Sequence, residues 1–273
     1  MSIPKRNLLN FATHITNSEK IMHVPGSIVG SRYQIIEKLG REEIRKTYLA
    51  KDLHATGDAR CAVEQLSPIF EETKDEASWQ VIKQHLTNEM EVLKRLGDHP
   101  QIPQFRQLFR HKHQDEGHLF LVQDYVEGTT YHALLNQRLE TDNKFSEAEV
   151  KQLLRQILPI LEYIHSMGVI HRDISPENLI LRKQDRLPVL IDFGCIKEVE
   201  NLAGSRLSQI MPDMSMSFVG TALGKIGYAP PEQLEKGIIC SHSDLYALAA
   251  TSVVLLTGKQ PRQLIHPDNY RWN

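Results

Sequence analysis

A chain of 273 residues with 41% apolar and 24% charged residues is long enough for one large globular domain or two lobes with real cores. Its formal charge of −2 gives no electrostatic reason to expect nucleic acid or an anionic membrane as partner. Cys61, Cys195 and Cys240, odd in number and far apart, argue against a disulfide framework or a zinc site and fit a reducing compartment.

Residues 1–32 lack periodicity, hold Pro4, Pro25, Gly26 and Gly30, and read as an N-terminal extension without the continuous apolar core of a secretion signal. Strand patterns follow at Tyr33–Ile36, at Thr47–Ala50 after a turn near Gly40, and at Cys61–Val63. Trp79, Ile82, Leu86, Met90, Leu93 and Leu96 then fall at helical spacing, with Gly97 as a stop. Two further strands are expected at Gln104–Phe109 and His118–Gln123. Ser146 with Glu149 forms a capping box ahead of Val150, Leu153, Leu154, Ile157, Leu161 and Ile164, a helix that contains Pro159. The apolar run Leu245–Leu256 is too short to span a bilayer and reads as a buried helix, so a cytoplasmic location is expected. Strands with one helix followed by a helical region make an α+β, two-lobed plan.

Chemistry concentrates in the second half. After the helix ending at Tyr163-Ile164-His165 comes His171-Arg172-Asp173-Ile174-Ser175-Pro176-Glu177-Asn178. The apolar strand Pro188-Val189-Leu190-Ile191 then leads into Asp192-Phe193-Gly194. Gly227-Tyr228-Ala229-Pro230-Pro231-Glu232 and Ser243-Asp244-Leu245-Tyr246 close the series. Three residues alone recur by chance; this order of signals does not. From Tyr33 to the end the chain resembles the eukaryotic-like Ser/Thr protein kinase family, specifically its bacterial branch.

That resemblance implies a small antiparallel N-lobe with one helix at 33–127 and a mainly helical C-lobe at 128–273, whose C-terminal helices look incomplete. It implies ATP with magnesium or manganese, and a Ser/Thr-bearing protein as acceptor. Asp173 matches the base that takes the acceptor proton, and Asn178 and Asp192 match the metal ligands. Gly40 matches the phosphate loop and Glu89 the acid that pairs with the strand lysine. Gln123, Asp124 and Val126 match the gatekeeper and hinge, and Ala62 and Ile180 the apolar residues around adenine. His171, Arg172, Phe193, Gly194, Glu232 and Asp244 match structural positions, Asp244 being the buried acid that anchors the catalytic loop. In the family the equivalent of Arg172 pairs with a phosphorylated residue of the following segment, which makes Ser217 and Thr221 candidate phosphosites.

The departures from the pattern matter as much. The phosphate loop reads Gly40-Arg41-Glu42-Glu43-Ile44-Arg45-Lys46-Thr47, keeping only the first glycine. Glu64 stands where the strand lysine belongs, and if it faces Glu89 the two acids share one site. Ser175 stands where Ser/Thr kinases hold a catalytic-loop lysine, and Lys225 where they hold a threonine. Arg45 is placed like the substitute cation of the with-no-lysine kinases, or is a solvated charge on a degraded loop. Lys225 has either exchanged places with the hydroxyl now at Ser175, restoring a cation beside Asp173, or both positions changed independently. An active kinase using Asp173, Arg45 and Lys225 and a pseudokinase serving as nucleotide-binding or scaffold module both remain open.

Overall fold

The computed structural model describes residues 25–39, 46–66, 90–91, 93–113, 116–193, 225–266 and 272. Contacts divide the chain into two compact units, Met1–Glu76 with Phe105–Tyr125, and Ala77–Gln104 with Val126–Asn273.

The first unit is an antiparallel sheet built of β1 (Ile28–Val29), β2 (Tyr33–Lys38), β3 (Lys46–Asp52), β4 (Arg60–Leu66), β5 (Phe105–His113) and β6 (Glu116–Asp124). The strands lie in the order β1-β2-β3-β4-β6-β5. Alternation sends Tyr33, Ile35, Tyr48, Cys61, Val63 and Phe120 to one buried face, as the period of two requires. A register shift between Ile35 and Glu37 bends β2. The sheet curls until its far strands meet through side chains. Tyr33 stacks on Phe109 at 5.7 Å between centroids, Phe109 stacks on Phe120 at 5.4 Å, and Tyr33 Oη donates to Gln107 Oε1 at 2.7 Å. Gly30 permits that closure: its φ is +58°, and a Cβ there would stand 2.5 Å from the Phe109 ring. Asp52, 2% exposed, is gripped by Arg32 through two hydrogen bonds of 2.7 and 2.8 Å, which foremost hold its carboxyl below the ordinary value.

In the second unit α1 (Tyr131–Leu139) and α2 (Glu147–Ser166) precede a 3-10 turn at Pro176–Asn178. A three-stranded sheet of β7 (Gly128–Thr130), β8 (Leu179–Arg182) and β9 (Pro188–Leu190) flanks that turn in the order β7-β8-β9. Helices α3 (Pro231–Lys236) and α4 (Ser241–Thr257) follow. The sequence-expected capping box is present: Ser146 Oγ accepts from Glu149 N at 3.3 Å, and Glu149 Oε2 accepts from Ser146 N at 2.8 Å. Helix α2 runs on through Pro159, which lies on its exposed side where the lost backbone bond faces water. Val150, Leu153, Ile157, Ile160, Leu161 and Ile164 form its buried stripe. The run read as a buried helix is α4, with Ala247, Leu248, Ala250, Val254 and Leu255 buried.

Three boundaries differ from expectation. The sheet begins inside the expected extension, because Ile28 and Val29 pair with Gln34 and Tyr33. Residues up to Gln104 group with the second unit although they were expected in the N-lobe, and the first unit ends at Tyr125 instead of residue 127. Hydrogen bonds account for the grouping of the residues before Phe105 with the second unit. Gln101 Nε2 donates to Pro188 O at 2.8 Å, Leu190 N to Gln101 O at 3.0 Å, and Arg182 Nη1 to Pro100 O at 2.7 Å.

Arg138 reaches Glu149 with Nη1 at 3.0 Å and Nη2 at 2.6 Å. That pair first, then the Ser146 bonds, hold the Glu149 carboxyl at about 2, below its ordinary 4.5. The contribution is therefore complete above the ordinary value and is lost as pH falls through the folded one. Glu149→Gln is expected to lower the melting temperature at neutral pH by about 2–4 °C, the shift expected of about 1 kcal/mol for a cap. Melting curves followed from neutral to acid should then fall less steeply for the variant than for the wild type. Parallel curves would show that the pair contributes nothing.

Candidate active site

Helix α2 ends in a left-handed Gly168 (φ +74°), with Val169 N closing onto Ile164 O at 2.9 Å, and the chain turns back into the loop at 171–178. One buried carboxylate organises that loop. Asp244, in the first turn of α4 and fully buried, accepts from His171 N, Arg172 N and His165 Nε2, each at 2.8 Å. His171 is itself buried; its Nε2 donates to Ile191 O at 2.9 Å while Nδ1 accepts from Asp173 N at 3.3 Å. Those partners fit the tautomer that carries its proton on Nε2. Its ring also lies 4.8 Å from the Phe193 ring.

Ile191 joins the two segments that carry the polar residues. Its carbonyl takes the His171 bond, and its N–H donates to Asn178 O at 3.0 Å. Asp192 is thereby fixed next to the loop with a left-handed φ of +60°, and Arg172 has φ +72°. Each such residue without glycine's freedom costs about 1–2 kcal/mol, so the surrounding bonds must overdetermine it. For Arg172 those bonds are Asp244 Oδ1 on its N–H and Gln233 Nε2, 3.4 Å from its carbonyl.

Asn178 Nδ2 donates to Asp173 O at 2.7 Å and to Asp173 Oδ2 at 3.1 Å. The amide thus steers the Asp173 carboxylate and leaves its own Oδ1 as an acceptor. With the Asp192 carboxylate this makes two hard oxygen donors on adjoining segments. Among the described residues there is no group of three or more His, Cys, Asp or Glu able to hold a metal unaided. Magnesium fits that donor set, because it keeps waters and takes much of its shell from phosphate oxygens.

Lys225 is the cation nearest in sequence to the following α3 segment, and its Nζ lies 2.8 Å from Glu177 Oε1 and 5.2 Å from the Tyr228 ring centroid. His132 Nδ1, from α1, lies 3.3 Å from the same oxygen. Burial pushes the Glu177 carboxyl up, but Lys225, then Glu177's own backbone N–H, then His132 outweigh it and the net shift is downward. Burial, aided by Glu177, pushes the Tyr228 hydroxyl up. The sequence reading set Lys225 beside Asp173; the contact that fixes it is Glu177. Ser175 is buried at the mouth of the 3-10 turn.

In the first unit, register gives the site residues a common face. Ala62 pairs with Gln123 and Leu49, and Glu64 with Leu121 and Thr47, on the side of β4 opposite Cys61 and Val63. Burial pushes the Cys61 thiol up to about 11, an inert core thiol. Asp124 binds Arg106 Nε at 2.6 Å, and Val126 opens the second unit. Ile180 sits on β8, opposite Thr130 and Val189. Glu232, on α3, lies 3.5 Å from His242 Nε2. Gly40, Arg45, Glu89, Gly194, Ser217 and Thr221 lie outside the described residues. Sequence reasoning missed His132 and Gln233, which reach the loop only through tertiary packing, and gave Glu177 no role although it stands inside the quoted motif.

A model of the protein kinase domain matches residues 33–272. The chain belongs to the protein kinase family. Within it, the chain is similar to the bacterial Ser/Thr kinases. Serine/threonine-protein kinase C of Synechocystis is 40% identical over 245 residues, covering 89% of this chain and 42% of that protein. Serine/threonine-protein kinase B of the same organism is 38% identical over 237 residues, covering 86% and 38%. The chain thus spans about two fifths of the length of these relatives. In fold it is similar to the crystal structure of the Mycobacterium tuberculosis PknI kinase domain. There the TM-score is 0.61 at 23% identity, covering 86% of this chain and 77% of that one. These kinases use ATP with magnesium or manganese as a family. No helix among the described residues is long and apolar enough to cross a membrane.

Asp244→Asn replaces an acceptor by a group that is half donor against three N–H partners. We expect the His171 and Arg172 amides to exchange with solvent about tenfold faster or more, the loss of one charge-assisted bond. Hydrogen exchange read residue by residue checks this, and unchanged protection at both amides would show that the loop holds its shape without Asp244.

Proposed function

We propose that this chain is the catalytic domain of a Ser/Thr protein kinase, passing the γ-phosphoryl group of ATP to a protein hydroxyl in the cytoplasm. The observation that carries the reading is the Asn178–Asp173 pair, a carboxylate steered by a side-chain amide on a loop anchored by Asp244. A scaffold needs none of that. Bound ATP and magnesium would supply the transferable phosphoryl group and the charge neutralisation around it. The chain's own residues do the rest. Asp173 Oδ takes the proton of the acceptor hydroxyl, Asn178 holds that carboxylate in place, and Asn178 and Asp192 present oxygens to the metal. Gly40, Ala62, Gln123, Asp124, Val126 and Ile180 are the proposed nucleotide contacts.

The substitutions raise the demand on the remaining cations. A charge-assisted hydrogen bond contributes roughly 1.5–3 kcal/mol, or about one to two decades in rate, so two unreplaced lysines would leave a feeble enzyme. Arg45 and Lys225 are the proposed replacements, with Arg45 also neutralising Glu64 and Glu89. Ser217 or Thr221, when phosphorylated, would engage Arg172. The pseudokinase reading keeps one observation in its favour: Glu64 shares the face of Ala62 and Gln123, where the family sets a cation.

Transfer from labelled ATP with magnesium or manganese decides between them. Asp173→Ala is expected to lower transfer about a hundredfold or more while calorimetry shows ATP still bound, the signature of a lost base. Asp192→Ala should remove metal-dependent ATP binding altogether. Wild-type protein that binds ATP and transfers nothing, with Ser217 and Thr221 unmodified by mass spectrometry, would establish the pseudokinase.

The same assay tests the substitute cation. Arg45→Ala should lower transfer about tenfold or more. Glu64→Lys alone should not raise it, because a second cation would crowd the first. Joined with Arg45→Gly, Glu64→Lys should recover most of the loss. A Glu64→Lys variant many times faster than wild type, with Arg45→Ala silent, would show a decayed lysine site.

A further inference from the structure

Segment 225–233 is fastened to the 171–178 loop at two points, one on each side of Asp173 in sequence. At one end Gln233, 2% exposed, brings Nε2 to 3.4 Å from Arg172 O. At the other, Lys225 Nζ lies 2.8 Å from Glu177 Oε1. Between them the chain is fixed by its own contacts. Tyr228 N and Ala229 N both donate to Lys225 O at 2.9 Å, both residues are buried, and a Cβ on Gly227 would collide with Pro261. The two fastenings differ in kind. Gln233 is sealed in the interior, whereas the Lys225 side chain is 42% exposed and is held by the Glu177 charge and the Tyr228 ring. Glu177 in turn depends on its cation. Its Oε2 is buried with no hydrogen-bond partner among the described residues, so Oε1 serves both Lys225 and His132 Nδ1, the latter at 3.3 Å from α1. A half-buried carboxylate left without a cation is costly, which favours the fastened state.

We infer that the Lys225–Glu177 ion pair is a latch that fastens segment 225–233 to the loop bearing Asp173, and that Glu177 and Lys225 are positioning residues for the group that approaches that carboxylate. The pair is made of side chains alone, so it orders the segment in the unmodified chain. Its release frees the Lys225 end while Gln233 keeps the other end on Arg172. His132 holds the same carboxylate from α1, so the acid stays in place when the ammonium leaves. A hydroxyl reaching Asp173 must pass a loop to which this segment is tied on both sides, and a loosened segment therefore weakens its placement more than the chemistry that follows. The inference rests on the kinase reading only in taking the approaching group to be the phosphoryl acceptor; the latch itself belongs to the nucleotide-free chain.

Hydrogen exchange on the unmodified 273-residue chain without nucleotide tests the latch. Lys225→Met, which keeps the aliphatic stem, and the isosteric Glu177→Gln should each quicken exchange at the Tyr228 and Ala229 amides about three- to fivefold, the effect of losing a partly exposed ion pair. The double variant should exchange no faster than the faster single one, because one interaction can be lost only once. Lys225→Arg should keep wild-type protection, and added salt should quicken the wild type but not the double variant. Protection along α4 should hold in every variant. Unchanged exchange at Tyr228 and Ala229 in both single variants, effects that add in the double, or losses spread equally into α4 would each overturn the inference. In the transfer assay Glu177→Gln should raise the KM of a peptide acceptor more than it lowers kcat, and the opposite split would remove the positioning role. A chain that transfers nothing contradicts the enzyme reading alone, because the exchange results stand without it.

Discussion

Everything chemical in the second unit hangs on the Asp244 carboxylate. It lies in the interior, where an uncompensated charge would be prohibitive, and meets that demand with two consecutive backbone N–H groups and one imidazole. The exchange is mutual: the loop relieves the buried charge, and the charge holds Arg172 in a left-handed conformation it would otherwise leave. From Arg172 the constraint passes to Asp173, and through the His171 ring to Ile191 and so to Asp192. Helix α4 is rigid because it is apolar and buried along much of its length, so the anchor does not drift.

Charge is the second constraint, and it runs against the family pattern. Asp173 and Glu177 stand on one short loop, and at position 175 between them the family's cation is replaced by a buried hydroxyl. Lys225 brings an ammonium back, but Glu177 captures it through a hydrogen bond of 2.8 Å, with His132 competing for the same oxygen. In the first unit the period-two geometry of β4 obliges Glu64 to share a face with Ala62 whatever its charge. An acid there cannot be turned into the core without stranding it beside Val63 and Cys61. The substitution is therefore a statement about the site and not about folding.

What was legible beforehand follows from how local each signal is. The alternation of Tyr33, Ile35, Tyr48 and Val63 and the capping box of Ser146 with Glu149 are short-range patterns, and the elements appear where they point. Strand β1 was hidden because two residues carry no period, and its partner is supplied by the turn at Gly30. Helix α1 buries only Tyr131 and Leu135, too little to write a stripe. Asp173, Asn178, Asp192 and Asp244 were legible because their order along the chain is itself a pattern. The His132–Glu177–Lys225 contact was not, since it joins three elements that no spacing connects.

The Asn178 side chain shows why two roles on this loop are not separable. Its Nδ2 donors are spent on Asp173, on both the carbonyl and the carboxylate, so only Oδ1 is left to face a metal. A cation drawing on Oδ1 would polarise the amide and strengthen the bond from Nδ2 to the carboxylate, since linked hydrogen bonds reinforce one another. In the proposed mechanism, base orientation and metal coordination would be two ends of one planar group. With Asn178 N held by Ser175 O and Asn178 O held by Ile191 N, the plane has little freedom to trade one for the other. That is an arrangement suited to a reaction in which proton acceptance and charge neutralisation must occur in the same place at the same moment.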